Sequence, residues 1–204
     1  MTALPVDQDG PDDPFARIGD PLLAVMDRRR QLLAVAGAHE YDEARTVGLF
    51  HVTDRARQRL LLTTDFPVHA MAFHPRLPLL AVGTGAYDGG YHFEGELLLL
   101  DLDSGAARSL IRHDFGRQVL GLKWLNDHDL RILMAPFDDH KDAEAHREGH
   151  VAVVSRPDWA AVAAKSLTER HLAGPRVPAP RPDGREAARR LVDQLRMPHT
   201  RRHH

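Results

Sequence analysis

Cysteine is absent from this 204-residue chain. That excludes a disulfide framework, a thiolate nucleophile and any zinc site built on sulfur. Lysine is close to absent, confined to Lys123, Lys141 and Lys165, so nearly all the positive charge is arginine. The formal net charge is −2. The basic surplus of a polyanion binder is therefore missing, which speaks against nucleic acid as a partner. No apolar run approaches the roughly 18 residues of a spanning helix. No charged start leads into an apolar core, so a signal peptide is not expected either. The expectation is a cytoplasmic protein without a membrane partner.

Catalytic signatures are missing as well. There is no Gly-x-Ser-x-Gly elbow and no His-Glu-x-x-His pair. Gly83-x-Gly85 lacks the third glycine of a dinucleotide loop, and Gly89-Gly90 has no strand-to-helix setting for phosphate. Asp101 with Asp103 reads as turn chemistry, because an acid/base carboxylate needs a buried cleft to shift it.

What is present is a repeat. Gly48, Gly95 and Gly149 each open a short apolar run, and 47 and then 54 residues separate them. Another apolar run precedes each: Leu32 to Val35, Leu79 to Val82, and Arg131 to Ala135. A period near fifty with several short strands per unit marks a propeller or a stacked array. The first unit reads as strands at Pro21–Met26, Leu32–Val35, Leu49–Thr53 and Arg59–Thr63. The second reads as Val68–Phe73, Leu79–Val82, Leu97–Leu102 and Arg108–Arg112, with a loop from Gly85 to Glu94. The third reads as Val119–Trp124, Leu130–Met134 and His150–Val154, with a loop from Asp138 to Glu148. Leu97–Leu102 is nearly all apolar, as befits a strand buried on both faces. Asp103-Ser104-Gly105 is a turn signal, since Gly tolerates positive φ and Asp and Ser bond the backbone locally.

Three domains of behaviour follow. Residues 1–20, with Pro5, Pro11 and Pro14 among acidic residues, bury too little to offset chain entropy and are expected as a flexible tail. Residues 21–172 hold the repeats. Residues 173–204 are expected as a proline-rich linker, stiffened by Pro175, Pro178, Pro180 and Pro182, and a short helix at Arg185–Met197. Ser155-Arg156-Pro157-Asp158 has the form of a helix start. Trp159–Leu172 reads as a helix or as a poor fourth strand of the third unit.

The second unit resembles a WD repeat. Val68-x-x-Met71-Ala72-Phe73-His74-Pro75 is similar to the innermost strand of that family and its stop. Leu79-Leu80-Ala81-Val82-Gly83-Thr84 is similar to the second strand, and Gly95-Glu96-Leu97-Leu98-Leu99-Leu100-Asp101-Leu102 to the third. The resemblance spans residues 21–155. It implies an all-β fold, a partial β-propeller of about three four-stranded antiparallel blades, followed by a helical or irregular extension. Leu100-Asp101 stands where the family has Trp-Asp, the opening Gly-His pair is absent, and long polar inserts replace the tight turn between second and third strands. Three blades leave edges open to pairing. The expected remedies are self-association into a ring, completion of a partner's propeller, or a cover supplied by Trp159 onward.

The three inserts are expected on one face. They read Ala38-His39-Glu40-Tyr41-Asp42-Glu43, Tyr87-Asp88-Gly89-Gly90-Tyr91-His92-Phe93-Glu94, and Asp138-Asp139-His140-Lys141-Asp142-Ala143-Glu144-Ala145-His146. We read that face as a partner-binding rim, carried by Tyr41, Tyr87, Tyr91, Phe93, His92, Asp138 and His140, because aromatic residues concentrate binding energy in interfaces. The function expected is a non-catalytic protein-interaction scaffold, working through the insert face, an open sheet edge, or both, and needing no cofactor. The alternative is a metal-dependent hydrolase or lyase built on the His and carboxylate residues of the inserts, since these are ligands for zinc, manganese and iron. Plain solvated loops are the third reading. His69, His74 and His113 at strand ends are expected to fix corners by hydrogen bonds, Trp124 to lie in the core, and Arg28–Arg30 to form a solvated turn.

Overall fold

Strand periodicity and turn chemistry agree along most of the chain. The computed structural model describes residues 4–5, 13–39, 43–54, 57–111 and 117–196. The first sheet contains β1 (Leu4–Pro5), β2 (Asp20–Asp27), β3 (Leu32–Ala38), β4 (Thr46–His51) and β5 (Gln58–Thr63), in the order β1-β5-β4-β3-β2. In the second unit β6 (Val68–Phe73) and β7 (Leu79–Thr84) are followed by a small hairpin, β8 (Ala86–Tyr87) and β9 (Phe93–Glu94). β10 (Leu97–Asp101) and β11 (Ala107–Ser109) complete the second sheet, ordered β11-β10-β7-β6. The third sheet runs β12 (Val119–Trp124), β13 (Asp129–Met134), β14 (Glu148–Ser155) and β15 (Arg176–Pro178). The helices are α1 (Glu169–Leu172) and α2 (Arg185–Arg196). The fold is all-β: three successive up-and-down antiparallel sheets with a C-terminal extension, not closed into a ring.

The sheets stack because their strands are apolar on both faces. Leu80, Val82, Leu98 and Leu100 of the second sheet meet Leu32, Ala34, Ala36 and Leu49 of the first. The alternate residues Leu79, Ala81, Leu97 and Leu99 meet Val119, Leu130, Ile132 and Met134 of the third. Period-two alternation thus sends each half of one strand into a different core. The first strand of each unit lies innermost, β2 against β6 and β6 against β12. Two of the repeat glycines are enforced by close backbone approach. A Cβ at Gly95 would lie 2.2 Å from the Thr84 carbonyl oxygen, and one at Gly149 would lie 2.6 Å from that of Met134.

The extension departs from expectation in four places. The stretch from Asp13 to Gly19, expected in a flexible tail, is folded: Phe15 and Ile18 are buried beneath α2 beside Leu33, Val35 and Phe50. Ser155 ends β14 rather than capping a helix. Residues 159–168 are irregular, with Trp159 wholly buried between the second and third sheets and its indole N–H donating to the His128 carbonyl at 2.8 Å. The missing fourth strand of the third unit comes from the expected linker, as Arg176–Pro178 pairs with Glu148–His150. Proline is tolerated there because an edge strand leaves one side of its backbone free.

The turns at one end of the stack are tied to one another. Asp27 Oδ1 accepts the amides of Arg29 and Arg30, and Asn126 Oδ1 those of His128 and Asp129. His74 does the same work for the second unit: its Nδ1 accepts the amides of Arg76 (3.0 Å) and Leu77 (2.9 Å). Its Nε2–H then reaches the third unit, donating to the Asp127 carbonyl at 2.9 Å. The expectation of a corner-fixing histidine holds for His74, and for His69, whose Nε2 lies 2.9 Å from the Gly85 carbonyl. His113 lies outside the described residues. Trp124 is half-buried; its ring meets those of His74 and Trp159 edge-on, and its indole N–H donates to the Ala72 carbonyl. Arg30, expected in a solvated turn, is instead a staple. It is ion-paired to the buried Asp27 and donates to the carbonyls of His74, Arg76 and Leu77.

Two predictions follow from these contacts. Burial pushes the His74 imidazole below its ordinary 6.5, against the opposing pull of the Asp127 carbonyl. Over that interval the unfolded chain binds a proton that the folded chain does not, so this contribution to stability is complete above 6.5 and falls as pH drops below it. Urea midpoints should decline from about pH 7 to about pH 5.5. His74→Ala should cost ~1–3 kcal/mol at neutral pH, the cost of orphaned buried partners. It should also reduce that pH slope without abolishing it, because burial pushes His69 in the same direction. For α2, Val192→Ala should cost ~1–3 kcal/mol by denaturant titration, whereas Arg189→Ala, at the exposed Asp20 pair, should leave the midpoint nearly unchanged.

Candidate partner-binding site

At the opposite end of the stack, the inserts of the second and third units are joined through their backbones. The β8–β9 hairpin exists because Asp88 Oδ1 accepts the amides of Gly90 (2.6 Å) and His92 (3.0 Å), with Gly89 at φ 78° turning the chain. Its returning strand then pairs with the loop after β13. His92 bridges Asp138, the Phe93 amide donates to the Phe137 carbonyl at 3.1 Å, and the Asp139 amide donates to the Tyr91 carbonyl at 3.0 Å. The region expected to be featureless loop from Gly85 to Glu94 is therefore an ordered hairpin.

This zipper decides which side chains turn inward. Phe93 is buried (1% exposed) against Ala135 and Ala145. It was expected at the contact surface; it is instead the foundation of the patch. Tyr87 and His146 lie over it, their rings 5.1 and 5.0 Å from that of Phe93. Asp139 joins both: the Tyr87 hydroxyl donates to its Oδ2 at 2.8 Å, and His146 Nε2 lies 3.0 Å from the same oxygen. These two hydrogen bonds, His146 first, hold the Asp139 carboxyl below its ordinary range. The Asp139 carboxylate in turn pushes the Tyr87 phenol above its ordinary 10.0. The amides of Gly90 and His92 lower Asp88 likewise.

Above this base, aromatic rings face solvent. Among the described residues, five large hydrophobic side chains are exposed, and the three aromatic ones are here: Tyr91 at 58%, Phe137 at 44% and Tyr87 at 38%. Tyr91 sits at φ 125°, a conformation unfavourable for any residue with a Cβ. Its ring meets that of His140 edge-on at 5.7 Å, and the His92 ring meets that of Phe137 at 5.2 Å.

Of the seven residues expected to carry binding, Tyr87, Tyr91, His92, Phe93, Asp138 and His140 are brought together. Tyr41 lies outside the described residues. The described ends of the first insert serve the first sheet: Ala44 is buried in its core, and His39 bonds the Arg17 carbonyl. Sequence reasoning missed Phe137, Asp139 and His146 as contributors. The only signal was the Asp138-Asp139 pair, and which carboxylate turns inward depends on the His92–Asp138 register. Among the described residues no group of three His, Asp or Glu side chains is placed to hold a metal ion.

No model of a known protein family matches the chain, and no curated protein proves similar to it.

The Tyr87–Asp139 contact is testable by spectrophotometric titration of the three tyrosines. Asp139→Asn removes the acceptor charge, so the latest-ionising tyrosine should move down toward the ordinary value of 10.0. Tyr87→Phe should abolish that late component. No shift in Asp139→Asn, with Tyr87→Phe losing an ordinary rather than a late component, would show that the pair does not form.

Proposed function

We propose that this chain is a non-catalytic scaffold of WD-like, three-bladed form that binds a protein partner on its insert face. The observation that carries the reading is the convergence of Tyr87, Tyr91 and Phe137, from two different inserts, on one exposed patch over a hydrogen-bonded base. Exposed aromatic rings on a rigid support are the side chains that dominate interface energetics. A polar surface of solvated loops would have no use for a buried Phe93 footing or for backbone pairing between inserts. Among the described residues no grouping of side chains favours the metal-dependent hydrolase or lyase, and the reading calls for no cofactor.

The insert face is favoured over a sheet edge as the docking surface. On one side of the stack the sheet edges β1, β11 and β15 hold only two or three described residues each, and short edges are poor templates for strand addition; the longer opposite edges β2, β6 and β12 lie against one another, with α2 against β2. A partner of a different kind is favoured over a second copy completing a ring, because α2 lies on the face of the first sheet where a further blade would stack. The proposed setting is the cytoplasm, where a chain without cysteine has no disulfide to lose. Among the described residues no helix is long and apolar enough to cross a membrane.

A photo-crosslinking residue placed at Tyr91 tests the reading, with the same residue at Val153 on the third sheet as the comparison. A discrete adduct from position 91 alone is expected. It should fall by ~30-fold or more when Tyr87→Ala and Phe137→Ala are combined, the loss of about 2 kcal/mol at an interface anchor. Equal labelling from both positions would remove the insert face as the docking surface.

A further inference from the structure

We propose that the insert face receives a basic, arginine-bearing segment of its protein partner. The inference rests on the reading of that face as a docking surface and adds the chemistry of the occupant. Three exposed rings, Tyr87, Tyr91 and Phe137, give the face its chemistry. Aromatic faces on a surface offer two things, apolar area and a negative quadrupole, and a guanidinium uses both by stacking.

Charge decides between an apolar and a cationic occupant. The hairpin segment 85–96 carries three carboxylates, Asp88, Glu94 and Glu96, and no Lys or Arg. The neighbouring segment 136–148 carries five carboxylates against Lys141 and Arg147. Together they hold a formal charge of −6, while the whole chain has only −2. These two segments thus carry a net negative charge larger than that of the whole chain, and the remainder of the sequence is net positive. Some of these carboxylates are already satisfied: Asp142 and Glu148 pair with Arg176, Glu144 approaches Arg147, and Asp139 holds His146. Asp88, Glu94 and Asp138 have no Lys or Arg partner among the described residues, and Asp88 and Asp138 stand next in sequence to Tyr87 and Phe137. Asp88 is held ionised by the two amides it accepts. Exposed rings and carboxylates without a basic partner, carried side by side along the same two segments, complement a cation with an apolar stem. They repel an acidic peptide, a nucleic acid backbone and an anionic membrane surface alike.

Arginine is preferred to lysine for a stated reason. Its planar guanidinium can stack on a tyrosine ring while its edge donates two parallel hydrogen bonds to a carboxylate, whereas an ammonium is a point charge that keeps its hydration.

The test uses the full chain and fluorescent peptides of equal length built on arginine, lysine or glutamate with glycine spacers. Expected is binding of the arginine peptide at low salt, weaker binding of the lysine peptide and none of the glutamate peptide. Asp88→Asn with Asp138→Asn should weaken arginine-peptide binding by tenfold or more, and Tyr91→Ala with Phe137→Ala should remove the preference for arginine over lysine. Asp54→Asn with Asp103→Asn, the same loss of charge at the far end of the stack, should leave binding unchanged. Equal binding of all three peptides, or equal losses from the two carboxylate pairs, overturns the proposal. A specific crosslink from position 91 with no peptide preference would overturn the basic occupant while leaving the docking surface in place. Absence of both would remove the surface itself.

Discussion

Everything else in this fold depends on three sheets being held face to face in one stack. Apolar stacking alone does not fix their relative rotation, because hydrophobic contact is non-directional. Direction comes from polar links between units, the paired inserts at one end and the turns at the other. Arg30 carries the first unit's turn onto the carbonyls of the second. His74 carries the second onto the third through the Asp127 carbonyl, and Arg76 pairs with Asp127 beside it at 2.7 Å. Trp159 then closes on the His128 carbonyl of that same third turn. Apart from the Arg76 pair with the Asp127 carboxylate, each of these turn links is a directional bond to a backbone carbonyl of a turn. A neutral imidazole suits this place, since it accepts on one nitrogen and donates on the other.

The two ends of the stack therefore do different work. One end spends its polar side chains on its own backbone, and its arginine and histidine residues are consumed internally. The other end pairs backbone with backbone, through the hairpin and the loop after β13, and leaves its side chains turned outward. The same residue types serve opposite purposes according to whether the main chain has already been satisfied. His74 and His140 illustrate this: one is buried and bonded at both nitrogens, the other exposed beside Tyr91.

The strands were legible because alternation and turn chemistry coincide. Val68–Phe73 and Val119–Trp124 were read to the residue, and Leu97–Leu102 announced burial on both faces by being apolar throughout. The extension was not legible, for a physical reason. Phe15, Ile18 and Arg176–Pro178 are ordered only by distant partners, and a three-residue edge strand containing proline has no periodicity to detect. Arg30 was misread because a turn arginine looks solvated until the neighbouring sheet is placed beside it. The insert cluster was read by composition, yet its internal division was not: burying Phe93 and exposing Phe137 is set by the register between two loops that are forty residues apart.

The packing of α2 on the first sheet also orders events in time. Leu33, Val35 and Phe50 are completed by Val192 and its neighbours. A ribosome adding about 5–20 residues per second leaves that apolar face waiting on the order of ten seconds for its cover. During that interval the nascent protein presents a naked, aromatic-bearing sheet surface while its other sheets are still being made. α2 is thus the element that completes the first sheet, and a truncation that removes it leaves that sheet's apolar face without its cover.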